Sequence, residues 1–95
     1  MTAQPLVEDK LDESFFRVRV ERATAAERQY MRAMAECGPG PRTAGEVAGK
    51  LGKTAQQVAP TRARLIEKGL LYTPLYGSAA FTVPQFDRFL LRVGS

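Results

Sequence analysis

Thr43-Ala44-Gly45-Glu46 and Thr54-Ala55-Gln56-Gln57 repeat one device, a threonine followed three residues later by Glu or Gln, and Leu65-Ile66-Glu67-Lys68-Gly69-Leu70-Leu71-Tyr72 comes after them. At this spacing the threonine hydroxyl accepts from the amide three residues on, while the Glu or Gln side chain accepts from the threonine amide. Each pair therefore marks a helix start. With starts only eleven residues apart, the first helix is short and a tight turn links it to the second.

That first helix runs from Thr43 to about Leu51 and buries Val47, Ala48 and Leu51, with Gly52 supplying the positive φ of a helix C-terminus. The second runs from Thr54 to about Lys68 and stops at Gly69. Upstream, Thr24-x-x-Glu27 is a third capping box. It opens a helix on which Ala26, Tyr30, Ala33, Met34 and Cys37 form one apolar stripe, and Gly38-Pro39-Gly40-Pro41 ends it. Before it, Phe16-Arg17-Val18-Arg19-Val20-Glu21 alternates apolar and charged residues, which argues for a short half-buried strand. Leu11, Phe15 and Val18 would instead line up on a helix, but the strict alternation favours the strand. Downstream, Leu70 to Thr73 and Ala79 to Val83 are β-prone around the turn chemistry of Pro74-Leu75-Tyr76-Gly77-Ser78. Pro84 suits the first turn of a last helix, where Phe86, Phe89, Leu90 and Val93 share a face. This order predicts an α+β, mostly helical winged helix-turn-helix: a three-helix core, a β-hairpin wing and an extra C-terminal helix. Residues 1–14 read as a polar tail or linker remnant and residues 15–95 as the domain.

A 95-residue chain carrying +4 is one small domain, with room for a modest core but not for a substrate cavity and a second domain. The charge is unevenly spread. Four carboxylates against Lys10 leave residues 1–14 at −3, so the chain from Phe15 onward carries +7, which favours an anionic partner such as nucleic acid. The single cysteine, Cys37, reads as a small buried hydrophobe, since the chain has no histidine to activate it. The same lack removes most metal sites and catalytic triads, so no catalytic residue, metal or cofactor is expected, and the scattered carboxylates read as surface charge. No apolar run is long enough to span a membrane and no signal-peptide pattern opens the chain, so a soluble cytoplasmic protein is expected. Gly52-Lys53-Thr54 imitates the end of a phosphate-binding loop, but Val47 stands where that pattern needs glycine.

On the second helix of the pair, Val58, Arg62, Leu65, Ile66 and Gly69 cluster toward the core. Gln57, Thr61, Arg64 and Lys68 form another stripe, placed as a recognition helix places its groove-facing surface. Arg62 reads as structural, its stem beside Val58 and Ile66 and its guanidinium on a carboxylate or a helix-end carbonyl. Pro60 should kink the helix or delay its regular start to about Ala59. Lys50, Lys53 and Thr54 are candidate phosphate contacts near the helix N-terminus. The wing tip has no Lys or Arg and offers the Tyr76 hydroxyl and backbone amides.

Phe15-Phe16-x-Val18-Arg19, Ala26-Glu27-Arg28-x-Tyr30-x-x-Ala33-Met34-Ala35, Val58-Ala59-Pro60-x-Arg62-x-x-Leu65-Ile66-x-Lys68-Gly69-Leu70 and Phe81-Thr82-Val83-Pro84-x-Phe86 together resemble the C-terminal winged-helix domain of prokaryotic AAA-type ATPases, relatives of archaeal origin-recognition proteins. The resemblance spans about residues 15–92. It implies that the domain follows an ATPase core and lid, that Pro60 and Arg62 begin the recognition helix, that Gly77 makes the wing turn, and that DNA binding or protein contact is the role. The ATPase motifs are absent from this chain, so no ATPase activity is implied for it. The expected partner is double-stranded DNA. The rival expectation is a protein-interaction or regulatory module that does not bind DNA, paired with a protein partner or a second copy through the Phe86, Phe89 and Leu90 helix and the Leu75 and Tyr76 tip.

Overall fold

The computed structural model describes residues 16–83 and 85–93, without the Val93 side chain. The expected tail at residues 1–14, Phe15 and the helix-opening Pro84 lie outside the described residues. The elements are α1 (helical at 16–21), α2 (Ala25–Glu36), β1 (Arg42–Thr43), α3 (Ala44–Leu51), α4 (Ala55–Glu67), β2 (Leu71–Leu75), β3 (Ser78–Phe81) and α5 (Phe86–Val93). β1, β3 and β2 form an antiparallel sheet in that order. This is the winged helix-turn-helix: α2, α3 and α4 make the three-helix core, β2 and β3 the wing, and α5 the additional helix.

All three capping boxes close as the spacing requires. Thr24, Thr43 and Thr54 accept from the amides of Glu27, Glu46 and Gln57 and are bonded in return by those side chains. The helix ends are as specific as the starts. Gly52 and Gly69 take φ of +69° and +80°, which lets the Lys53 amide reach the Ala48 carbonyl at 2.9 Å and the Leu70 amide reach the Leu65 carbonyl at 2.9 Å. Leu65 and Leu70 are both buried, so the chain leaves α4 with an apolar contact already made. The Thr82 hydroxyl then donates to the Gly69 carbonyl at 2.7 Å, tying the far end of the wing to the end of α4.

Several expectations need correction. Residues 16–21 are helical, not a strand: a strand would bury Val18 with Phe16 and Val20, yet Val18 is 51% exposed while Phe16 is buried. Phe16, Val20 and Ala23 face inward at helical spacing. Of the two effects expected of Pro60, a delayed helix start is not found: α4 is helical from Ala55. The proline sits on the exposed side, so water can satisfy the carbonyl that loses its donor. The hairpin turn is also shorter than its chemistry suggested. Leu75 pairs with Ser78, leaving Tyr76 and Gly77 as the turn, and Pro74 lies inside β2, where the register shifts between Tyr72 and Leu75. Because β2 is an edge strand, the missing proline amide disrupts no interior ladder.

The α2 stripe is shifted as well. Ala26 is exposed, Met31 is buried beside Tyr30, Ala33 and Met34, and Cys37 is only half-buried at the C-cap. α5 lies against α2, and Phe16, Phe81, Phe86 and Phe89 form an aromatic cluster with centroid separations of 5.1 Å (Phe16–Phe89), 5.4 Å (Phe16–Phe86), 5.5 Å (Phe81–Phe86) and 6.2 Å (Phe86–Phe89). Offset and edge-on rings at these distances add to the area they bury.

Glu27, read from sequence as the capping residue of α2, is fully buried. Its Oε1 accepts from the Thr24 amide at 2.9 Å and from Lys68 Nζ at 2.6 Å, and Lys68 Nζ also donates to the Arg22 carbonyl at 3.0 Å. The Lys68 hydrogen bond, working against burial, holds the Glu27 carboxyl below its ordinary 4.5. The two partners are not equivalent, because Lys68 keeps 36% of its side chain exposed and Glu27 none. Lys68→Met strands a buried carboxylate, whereas Glu27→Gln leaves a lysine that can turn to solvent while the glutamine still caps α2. Lys68→Met should therefore destabilise by about 2–4 kcal/mol and Glu27→Gln by about 1–2 kcal/mol, with the double variant recovering part of the Lys68→Met loss. Thermal melts at neutral pH test this ordering, and equal losses for the two single variants contradict it. A carboxylate with a lowered folded value contributes stability that is present above 4.5 and lost as pH falls below it. Melts from pH 7 to pH 3 should show a shallower decline for Glu27→Gln than for the parent.

Candidate nucleic-acid interface

α4 is anchored by Val58 and Leu65, both buried, with Thr61, Arg62 and Ile66 half-buried beside them. The line opposite Val58 and Leu65 carries Gln56, Pro60, Ala63 and Glu67, all exposed, and Arg64 is exposed at its edge. The outermost surface of α4 is thus rotated from the stripe expected from sequence. Gln57, Thr61 and Lys68 lie on the flank, and the outer line includes one acid, Glu67.

The expected contact residues separate accordingly. Arg64 and Lys53 are exposed. Lys68 drops out of the expected set, because its ammonium is held by Glu27 and the Arg22 carbonyl. Thr54 and Gln57 are exposed but spend their side-chain oxygens on each other's amides, at 3.1 and 2.9 Å. Thr61 is half-buried. Lys50 is not brought to α4: it lines a groove with Arg28 and Arg32 of α2 over the apolar floor of Val20, Leu51 and Leu90. Tyr76 is fully exposed at the wing tip, far from being a packed tyrosine.

Arg62 is half-buried, as its place among apolar neighbours implies, but the expected carboxylate or carbonyl partner is not found among the described residues. Its Nε is buried without a hydrogen-bond partner among the described residues, and the side chain lines a depression formed with Thr73, Pro74, Leu75, Tyr76 and Gly77 of the wing. On its inner side it is close enough to Tyr30 to oppose the upward pull that burial exerts on that phenol. The Tyr30 hydroxyl is likewise buried without a partner among the described residues. Arg62 therefore bridges the core and the cleft between α4 and the wing.

Sequence reading missed a second basic site. Val18, Arg19, Arg22, Lys68, Gly69 and Leu70 line a depression where α1 meets the C-terminal end of α4. Arg19 of α1 and Arg22 of the turn that follows it both reach this depression. Lys53 precedes α4, Arg64 is exposed at the edge of its outer side and Arg22 lies by its C-terminal end, with the acid Glu67 on the outer line among them. The apolar stripe of the last helix, expected as a partner surface, is spent inside the molecule. Phe86, Phe89 and Leu90 are buried, and among the described side chains of that helix Leu91 is the exposed large apolar residue.

Among the described residues no helix is long and apolar enough to cross a membrane, and no cluster of three or more acidic or cysteine side chains could hold a metal. No curated protein and no solved structure matches the chain. A family model described as a domain of unknown function (DUF8462) matches residues 13–90, and the chain belongs to that family.

Proposed function

We propose that this DUF8462 chain is a cytoplasmic DNA-binding winged-helix module, related to the C-terminal domain of prokaryotic AAA-type ATPases, that lays α4 in the major groove of duplex DNA. The observation that carries the reading is the setting of α4. Its outward side presents Gln56, Ala63 and Arg64 beside a hairpin wing, in a domain whose chain from Phe15 onward carries +7. Gln56 has donors and an acceptor for base edges, and Arg64 and Lys53 suit phosphates or guanine. Arg22 extends the cationic surface past the C-terminal end of α4. The module catalyses nothing in this reading. It supplies position on DNA to whatever it is joined to.

A second reading, contact with another protein, is favoured by the groove on the opposite side. Val20, Leu51 and Leu90 floor it, while Arg28, Arg32 and Lys50 rim it. The two readings use different faces, which allows them to be separated by mutation.

Fluorescence anisotropy on labelled duplex DNA at two salt concentrations tests the first. Arg64→Ala should weaken binding about 3- to 10-fold and lower the slope of log affinity against log salt by about one, as loss of a single phosphate contact does. Lys53→Ala should act in the same direction, and Lys50→Ala should leave duplex affinity unchanged. Unchanged binding in both Arg64→Ala and Lys53→Ala, or a loss confined to Lys50→Ala, contradicts the proposed face.

A further inference from the structure

The wing tip is chemically unlike the rest of the basic surface. Leu75 is 63% exposed and Tyr76 fully exposed, and they sit at a two-residue turn closed by the Leu75–Ser78 pair, where Gly77 takes φ +81°. A tip without Lys or Arg is poorly suited to clamping phosphate. A fully solvated tyrosine ring on a tight turn offers instead a flat aromatic face, held out from the body of the domain. Arg62 lines the same depression from α4. An aromatic face and a guanidinium on one cleft match the two parts of a nucleotide, the base and its phosphate. The +7 carried from Phe15 onward argues for that anionic partner over an apolar peptide.

We infer that the wing takes an unpaired base: the Tyr76 ring stacks on it, Arg62 holds the adjoining phosphate, and the domain prefers duplex DNA with a locally opened segment over uninterrupted duplex. The inference rests on the DNA-binding reading above and adds a ligand class to it. In a closed duplex both faces of each base are occupied by neighbours, and exposing one requires unstacking it. In an opened segment that penalty is already met, so the stacking energy appears as affinity.

The test measures anisotropy of the purified chain with a short labelled duplex and with the same duplex carrying a central bubble of non-complementary thymines. The parent should bind the bubble about 5-fold or more tighter than the closed duplex. Tyr76→Ala should bring the two affinities to within about twofold of each other by weakening bubble binding far more than closed-duplex binding, and Tyr76→Phe should keep the preference because the ring is retained. Tyr76 is fully exposed, so the alanine variant should melt with the parent. Equal affinity of the parent for both DNAs, a preference that survives Tyr76→Ala, or one abolished by Tyr76→Phe overturns the inference while the DNA-binding reading stands. Binding to neither DNA overturns both.

Discussion

A carboxylate with no access to solvent must be answered by a cation, and for Glu27 the cation comes from forty-one residues further along the chain. Glu27 lies in the first turn of α2 and Lys68 caps the end of α4, so each charge also sits where its helix dipole favours it. The pair fixes more than the distance between two helices. Drawing Lys68 against Glu27 and the Arg22 carbonyl sets the rotation of α4 about its own axis. The flank bearing Lys68 turns toward α1 and α2, and Gln56, Pro60, Ala63 and Glu67 are left facing out. The surface available to a partner is thus a consequence of one buried charge.

The second constraint is the aromatic cluster. A three-helix core and a small sheet leave one side of α2 uncovered, and α5 covers it with Phe86, Phe89 and Leu90 while Phe16 of α1 packs on both of those phenylalanines. The terminal helices therefore act together as a lid on the core. This is why the apolar stripe of α5 offers little to a partner, and why α1 comes to the end of α4 with Arg19 and Arg22.

What could be read from the chain divides along physical lines. The helix starts and stops were legible because capping boxes and glycine stops are local chemistry, complete within four or five residues. The wing was legible because β-prone segments flank turn residues. Residues 16–21 were misread because six residues contain three periods of a strand but fewer than two turns of a helix, and the residues that break the tie are on α5. The burial of Glu27 was hidden because as a capping residue it already had a sufficient role, and its partner is distant in sequence. The face of α4 was misplaced because Arg62, half-buried, was given equal weight with Val58 and Leu65 in finding the core side. The two-residue β1 carries no period of its own and forms only because β3 is there to pair with it.

Pro60 shows how the remaining tension is resolved. As the sixth residue of α4 it removes the donor that the Gln56 carbonyl needs, a fault that breaks a helix when it faces the core. Here it lies on the outer line, where water or a ligand can take the free acceptor. The adjoining outer positions, Ala59 and Ala63, are small and also exposed. On the outer line Pro60 and Ala63 stand between the longer Gln56 and Glu67, so the backbone is least covered at the middle of α4. The lost hydrogen bond and the short side chains coincide: α4 is held through the buried Val58 and Leu65, and the carbonyl without a donor lies where little side-chain bulk keeps water from it.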